Sequence, residues 1–263
     1  MAYVIAQLSD IHIGGPHPGN GERCSAAIAE INAMTRPPDL VLLTGDLTQD
    51  GSQAQWTELR GRLEALTTAW EVMPGNHDGA LTELAGHRAV TAGPLHLVLV
   101  DTSGEVFTED DERWLDAELA AHRDGPVVVA IHHPPFETGI WWMDCIGLTG
   151  RERVERVVRR HPQVIQVLSG HIHRPIHTNW GGCSLWVCPS TAVSVAVDLD
   201  PAHEPAETAE PPTFSLHAYT GAGVISHLVP VGAPATRTLI GDTSPEFVAR
   251  VRAMQATRPS TLR

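Results

Sequence analysis

Basic charge is scarce in this chain: 18 Lys and Arg stand against 31 Asp and Glu, leaving a formal net charge of −13 over 263 residues. A surface this acidic repels phosphate backbones, which argues against general nucleic-acid binding. Cysteine is also sparse. Cys24, Cys145, Cys183 and Cys188 form no C-x-x-C pair, and they read as reduced thiols of a cytoplasmic protein rather than a disulfide framework. No apolar stretch approaches the ~18 residues of a membrane span. The opening MAYVIAQLSD has no basic leader region and no clean small-residue cleavage site, so it reads as a first strand. The length suits one large domain with a sizeable core and room for a small appendage.

What the chain does contain is an alternation of strands and helices. Apolar, β-branched runs stand at 3–8, 39–44, 70–73, 96–100, 127–131 and 164–168, the pattern of buried strands. Helical patterns lie between them. Ser52-x-x-Gln55 and Thr149-x-x-Glu152 have the form of capping boxes. The second opens RERVERVVRRH, with Val154, Val157 and Val158 on one face. After residue 175 come strand patterns without clear helices: LWVC, SVAV, FSLHAY and GVISHLVPV. They are interrupted at 198–212 by a Pro/Glu-rich stretch that reads as a surface loop. Ser244-Pro245-Glu246 predicts a last short helix, with Ser as N-cap and Pro at its first position. These features predict an α/β protein with two mixed sheets packed face to face and helices outside. One domain covers 1–240, including a cap-like loop at 136–148, and a C-terminal helix and tail cover 241–263.

The strands end alike. The first leads into Asp10-Ile-His12, the second into Gly45-Asp46, and the third into Gly75-Asn76-His77-Asp78. Two later ones lead into His132-His133-Pro134 and Gly170-His171-Ile172-His173. Ligands of open α/β sheets bind beyond the carboxyl ends of strands, where these groups would gather. In extended chain, residues i and i+2 point the same way, so Asp10 with His12 and His171 with His173 can each aim two donors at one pocket. Asp10, His12, Asp46, Asn76, His132, His171 and His173 are too many donors for one tetrahedral ion. A shared carboxylate would hold two ions roughly 3.5–4 Å apart, as phosphoester hydrolysis uses them. Mixed O and N donors without thiolate suit Mn, Fe, Co, Ni or Zn and argue against a structural zinc. Gly45, Gly75 and Gly170 would let the backbone turn sharply before each donor.

Taken in order, D-x-H, G-D, G-N-H-D, H-H-P-P and G-H-I-H resemble the calcineurin-like metallophosphoesterase superfamily over roughly residues 3–190. Within it, HHPP and GHIHR resemble class III cyclic-nucleotide phosphodiesterases and bacterial glycerophosphodiesterases. The resemblance implies a four-layer α/β/β/α sandwich with two divalent transition-metal ions at the strand ends. It assigns Asp10, His12 and His173 to one ion and Asn76, His132 and His171 to the other. Asp46 would bridge them, and His77 would be a catalytic non-ligand. The implied reaction is hydrolysis of a small phosphodiester, a cyclic nucleotide or glycerophosphodiester, by a metal-activated hydroxide. A homodimer is implied as well. One position departs from the pattern: Gln49 stands where relatives carry an acidic partner for the catalytic histidine, with Asp50 beside it.

Other residues keep two readings. His133 is a second-layer or substrate contact, or a packing residue. Trp141 and Trp142, in the 136–148 loop, stack on an organic substituent or pack into the core or an interface. Arg174 meets a phosphate or pairs with an acidic neighbour. His17, in a Gly/Pro loop after the first donors, is a candidate substrate contact, and Asp78 is read as fixing its loop. Alternatives to the diesterase are a phosphomonoesterase, protein phosphatase or nuclease of the same superfamily. A non-enzymatic interaction module keeping the fold is a further reading, but such a module would be expected to lose ligands, and here every motif position is filled.

Overall fold

Alternate residues of the first strand enter different layers, as the two-residue period of a strand requires. In β1 (Tyr3–Leu8), Ile5 packs with Leu42, Leu97, Val128 and Leu168, whereas Ala6 and Leu8 pack with Val41, Leu43, Ile28 and Leu59. The computed structural model describes residues 2–232 and 244–256.

Two mixed sheets result. In the first, β1, β2 (Leu40–Thr44) and β3 (Trp70–Met73) run parallel. β12 (Thr213–Tyr219) and β13 (Val224–Pro230) extend the other edge antiparallel. The second has the order β4 (Arg88–Ala92), β5 (Leu95–Val100), β6 (Val127–Ile131), β7 (Val164–Ser169), β9 (Cys183–Val187), β8 (Ile176–Trp180). Its four inner strands are parallel, and β4 and β8 are antiparallel edges.

Three apolar clusters separate four layers. The middle one, with Leu40, Leu42, Leu97, Leu99 and Ala130, lies between the sheets. One outer cluster packs the first sheet against α1 (Asn20–Asn32) and α2 (Gln53–Leu63) through Ala27, Ile31, Trp56 and Leu63. The other packs the second sheet against α3 (Glu109–Ala121) and α5 (Arg151–Arg160) through Leu115, Leu119, Val154 and Val157. Each such Leu or Val, fully buried, contributes roughly 1.5–3 kcal/mol. The expected α/β/β/α layering is therefore what the chain adopts.

Local details differ from the sequence reading. The edge strands β4 and β8 were not anticipated: β4 shows no two-residue burial period, and β8 alternates in burial with only Ile176 and Trp180 apolar on its inner face. Neither expected capping box forms. Ser52 precedes α2 without a side-chain cap bond, because Gln55 instead accepts from the backbone N–H groups of Gln49 and Asp50. Gly150, at φ 83°, occupies the N-cap of α5 in place of Thr149. The real box is Thr108 with Asp111 at the start of α3. Residues 198–212 are not wholly irregular: β11 (Glu207–Thr208) pairs with β10 (Ser194–Val195). The last helix, α6 (Pro245–Ala256), begins as expected, with Phe247 N–H donating to Ser244 Oγ at 3.1 Å. Residues 241–243 and 257–263 of the expected C-terminal segment lie outside the described residues. No helix among the described residues is long and apolar enough to cross a membrane, and the four cysteines are free thiols.

Candidate metal centre

The loops after β1 and β2 run side by side, each donor's backbone fixed by the other loop. Asp10 N–H donates to Gly45 O and His12 N–H to Asp46 O, both at 3.0 Å. Among the described residues six that are not glycine have left-handed backbone, and five of them are Asp10, His12, Asp46, His171 and His173, at φ 49–69°. The chain thus makes its sharpest turns at the donors themselves. Of the three glycines expected to turn the chain, only Gly45 does so, at φ 92°. Gly75 serves by lacking a side chain: a Cβ there would stand 2.3 Å from Asp46 Oδ1 and 2.8 Å from His132 Cε1.

Two neighbouring groups of side chains bring donor atoms close enough to hold a metal ion: Asp10, His12, Asp46 and His173, and His132, His133 and His171. Asp46 stands between them. Its Oδ2 is 3.6 Å from His12 Nε2, and its Oδ1 is 3.3 Å from His132 Nε2. The latter contact lacks hydrogen-bond geometry, so His132 Nε2 is buried without a partner, as are Asn76 Oδ1 and His171 Nε2. Buried polar atoms are almost always paired. A cation held against the Asp46 carboxylate, which His132 Nε2 faces at 3.3 Å, would give such atoms a partner. Backbone carbonyls set the tautomers. His132 Nδ1 lies 2.7 Å from Thr44 O and His173 Nδ1 2.9 Å from Val193 O, which leaves each Nε2 lone pair facing inward. The donor set therefore fits divalent transition ions.

Electrostatics prepares the same arrangement. Burial pushes His12 and His171 down to about 3, so both stay neutral at physiological pH. Burial opposes charge on Asp46 as well, but His132, His12 and His77 around it hold its carboxyl well below the ordinary range. His132 is the reciprocal case: burial would lower it, and the Asp46 carboxylate lifts it to about 9.

His77 sits on a single 3-10 turn, Asn76–Asp78. Its N–H donates to Asp46 Oδ1 at 3.0 Å, and its Nδ1 lies 2.7 Å from the Gln49 carbonyl oxygen. Asp50 instead accepts from Ser52 N–H. Asp78 accepts from the backbone N–H groups of Leu47, Thr48 and Gly75 and from the Thr48 hydroxyl. It ties the second and third loops together.

A pocket of about 210 Å³ opens over these groups. One wall is apolar, from Trp142, Met143 and Ile146 of the 136–148 segment together with Val193 and Val195. The short helix α4 (Trp141–Cys145) carries Trp142 and Met143. The other wall is polar, and includes His17, Asn20, Gln49 and Glu207. His17 Nε2 pairs with Glu207 Oε2 at 2.8 Å across the mouth. Trp141, His133 and Arg174 do not line this pocket. His133 is buried with its Nδ1 2.9 Å from Thr102 Oγ1, and Arg174 pairs with Glu210. Sequence reasoning missed Asn20, whose Nδ2 donates to His12 O at 2.8 Å. It also missed Glu207, which reached the pocket on a two-residue strand inside a loop with no signal beyond its acidity.

Residues 3–175 match the calcineurin-like phosphoesterase family. A "probable glycerophosphodiester phosphodiesterase GpdQ" of Arcobacter nitrofigilis is 30% identical over 255 residues, covering 87% of this chain and 93% of the relative. A "probable cyclic nucleotide phosphodiesterase" of Synechococcus sp. is 32% identical over 210 residues, 73% of this chain and 82% of the relative. A solved dimetal phosphatase of Danio rerio has a TM-score of 0.59 at 15% identity, over 87% of this chain and 99% of that one; it shares the fold. The match spans two thirds of the sequence and takes in every strand-end motif, and on that ground the chain belongs to the calcineurin-like phosphoesterase family.

Proposed function

We propose that this chain is a phosphodiesterase dependent on two divalent transition-metal ions and that it hydrolyses small phosphodiesters, cyclic nucleotides or glycerophosphodiesters. The observation that carries the reading is the set of buried, unpartnered atoms Asn76 Oδ1, His132 Nε2 and His171 Nε2, the second of them 3.3 Å from the Asp46 carboxylate. In this reading they hold one ion, while Asp10, His12 and His173 hold the other and Asp46 is shared. Manganese, iron, zinc and cobalt all suit these donors. When bound, such ions supply a nucleophile at neutral pH and offset charge on the phosphoryl oxygens.

The remaining work falls to the protein. With Nδ1 held against the Gln49 carbonyl, His77 turns Nε2 toward the pocket and gives its proton to the departing alkoxide. General acid catalysis of this kind is worth roughly 10²–10⁴-fold. The apolar wall of Trp142, Met143 and Ile146 offers a surface for the organic arm that a diester carries and inorganic phosphate does not. The acidic character of the chain favours a singly charged diester over a doubly charged monoester. Both relatives named above as phosphodiesterases support the same choice.

The test is a panel of 3′,5′- and 2′,3′-cyclic nucleotides, glycerophosphodiesters and phosphomonoesters assayed with added Mn²⁺. At least one diester is expected to exceed its matching monoester in kcat/KM. Activity confined to monoesters overturns the diesterase reading.

A further inference from the structure

The aliphatic layer between the two sheets contains a fully buried amide. Ile5 of β1 packs into that layer with Leu42 and Leu168, and Gln7, two residues on, points the same way. An amide in such a place is costly unless its hydrogen bonds are all made. In Gln7 they are. Its Nε2 donates to Thr44 Oγ1 at 2.8 Å and to Ser169 O at 2.9 Å. Its Oε1 accepts from His217 Nε2 at 2.9 Å, and His217 Nδ1 faces the Ser226 hydroxyl at 2.8 Å. An amide oxygen can only accept, so the N–H of His217 fixes which end of Gln7 meets Thr44 and Ser169.

Thr44 and Ser169 are the last residues of β2 and β7, one in each sheet. Each leads to a group already described. Thr44 O holds His132 Nδ1 at 2.7 Å, and Ser169 stands two residues before His171. Gly170, between Ser169 and His171, donates its N–H to His132 O at 2.9 Å. We propose that Gln7 is a positioning residue for the metal ion assigned to His132 and His171, acting by joining the two sheets at the strand ends that aim these ligands. The inference rests on the two-metal reading above and concerns one of its two ions. Apolar contact is non-directional, so sheets packed through aliphatic side chains alone can slide slightly at little cost. An amide with all its bonds made sets one register. Metal ligands need that precision, because their distances must hold within about 0.2 Å. Burial of Ile5, Leu42 and Leu168 accounts for cohesion of the layer, but it gives no reason for a glutamine among them.

The test reads metal affinity in the full chain rather than turnover. Metal-free wild type, Gln7→Met and Ile5→Val are titrated calorimetrically with Mn²⁺, and anomalous difference maps from crystals soaked at limiting Mn²⁺ assign each binding step to a position. Gln7→Met keeps the length of the side chain and removes its hydrogen bonds. Ile5→Val thins the same layer and leaves the bonds to Thr44 and Ser169 in place. In Gln7→Met the ion beside His132 and His171 is expected to bind roughly 10-fold more weakly or worse, with a smaller change at the ion beside Asp10, His12 and His173. Ile5→Val should lower thermal stability and keep both affinities. Thr44→Val deletes the hydroxyl that Gln7 holds; it should weaken the same ion as Gln7→Met and replaces that variant if it does not fold. Two ions bound by wild type and bound equally tightly by Gln7→Met or Thr44→Val overturn the positioning role. So does an equal loss of affinity in Ile5→Val, which would trace the effect to general loosening of the layer. Fewer than two ions in wild type is a different failure, and it overturns the two-metal reading together with this inference.

Discussion

The imidazole of His77 is oriented by the backbone carbonyl of Gln49, 2.7 Å from Nδ1, and not by an acidic side chain. A carbonyl fixes the ring and its tautomer without adding a full negative charge. His77→Ala is therefore expected to keep its metal content and lose turnover. The loss should be larger for an alkyl ester, whose alkoxide needs a proton, than for a p-nitrophenyl ester, whose phenolate leaves without one. Equal losses on the two substrates would remove the general-acid role. Gln49 Nε2 also lies 3.4 Å from Nδ1. Gln49→Glu should bring a carboxylate to that position, a second fixed acceptor for the ring, without changing metal content.

The Asp46 carboxylate stands against a ring nitrogen of each donor group, His12 Nε2 on one side and His132 Nε2 on the other. Asp46→Ala removes it and also the acceptor of the His77 N–H. Turnover should drop by several orders of magnitude, and elemental analysis should find metal depleted from both positions. Two retained ions with near-native activity would disprove the shared-carboxylate arrangement.

The pair between His17 and Glu207 sets the charge at the pocket mouth. Glu207→Gln removes a negative charge that a dianionic monoester meets on entry. KM for monoesters should fall several-fold, KM for monoanionic diesters should move less, and kcat for both should hold. A uniform change across both substrate classes would show that Glu207 shapes the loop and not the selectivity.

His217 gives the fold a pH dependence away from the pocket. It is buried between Ser226 Oγ, at 2.8 Å, and Gln7 Oε1, at 2.9 Å, and burial pushes it down to about 3. In the unfolded chain a histidine takes up its proton near pH 6.5. Between those two values the unfolded state binds more protons, so stability falls as pH falls, at up to about 1.4 kcal/mol per pH unit from this residue. Above pH 6.5 the contribution to the slope vanishes. Thermal unfolding of His217→Gln from pH 7 to pH 4 should decline less steeply than wild type; parallel curves would contradict the assignment.

The clustering of the strand-end Asp and His residues and the layering were legible because their information is local. A strand buried on both faces reads as an apolar run, as at 127–131, and Asp, Asn or His beyond it is visible by residue type alone. The edge strand Arg88–Ala92 takes its structure from a neighbour's hydrogen bonds, which no periodicity records, and Ile176–Trp180 alternates with too few apolar residues to stand out. Caps failed for a similar reason. Gln55 has the chemistry of a capping residue, but the Gln49–Asp50 loop nearby makes better use of its carbonyl. Glu207 enters the pocket only through the pairing of two short strands, 12 residues or more apart in sequence, and its own surroundings in the chain gave no hint of it.

The left-handed backbone at Asp10, His12, Asp46, His171 and His173 has an evolutionary consequence. Each non-glycine residue held there costs on the order of 1–2 kcal/mol, against a typical domain total of about 5–15 kcal/mol. Glycine at any of these positions relieves that cost while deleting a side chain proposed above as a metal ligand. His173→Gly, at the solvent-reached side of the pocket, is the mildest such change, and it should yield a sturdier chain with no catalysis. Selection for thermal endurance alone therefore drives this fold toward inert descendants, and only continued demand for turnover keeps the five side chains in place.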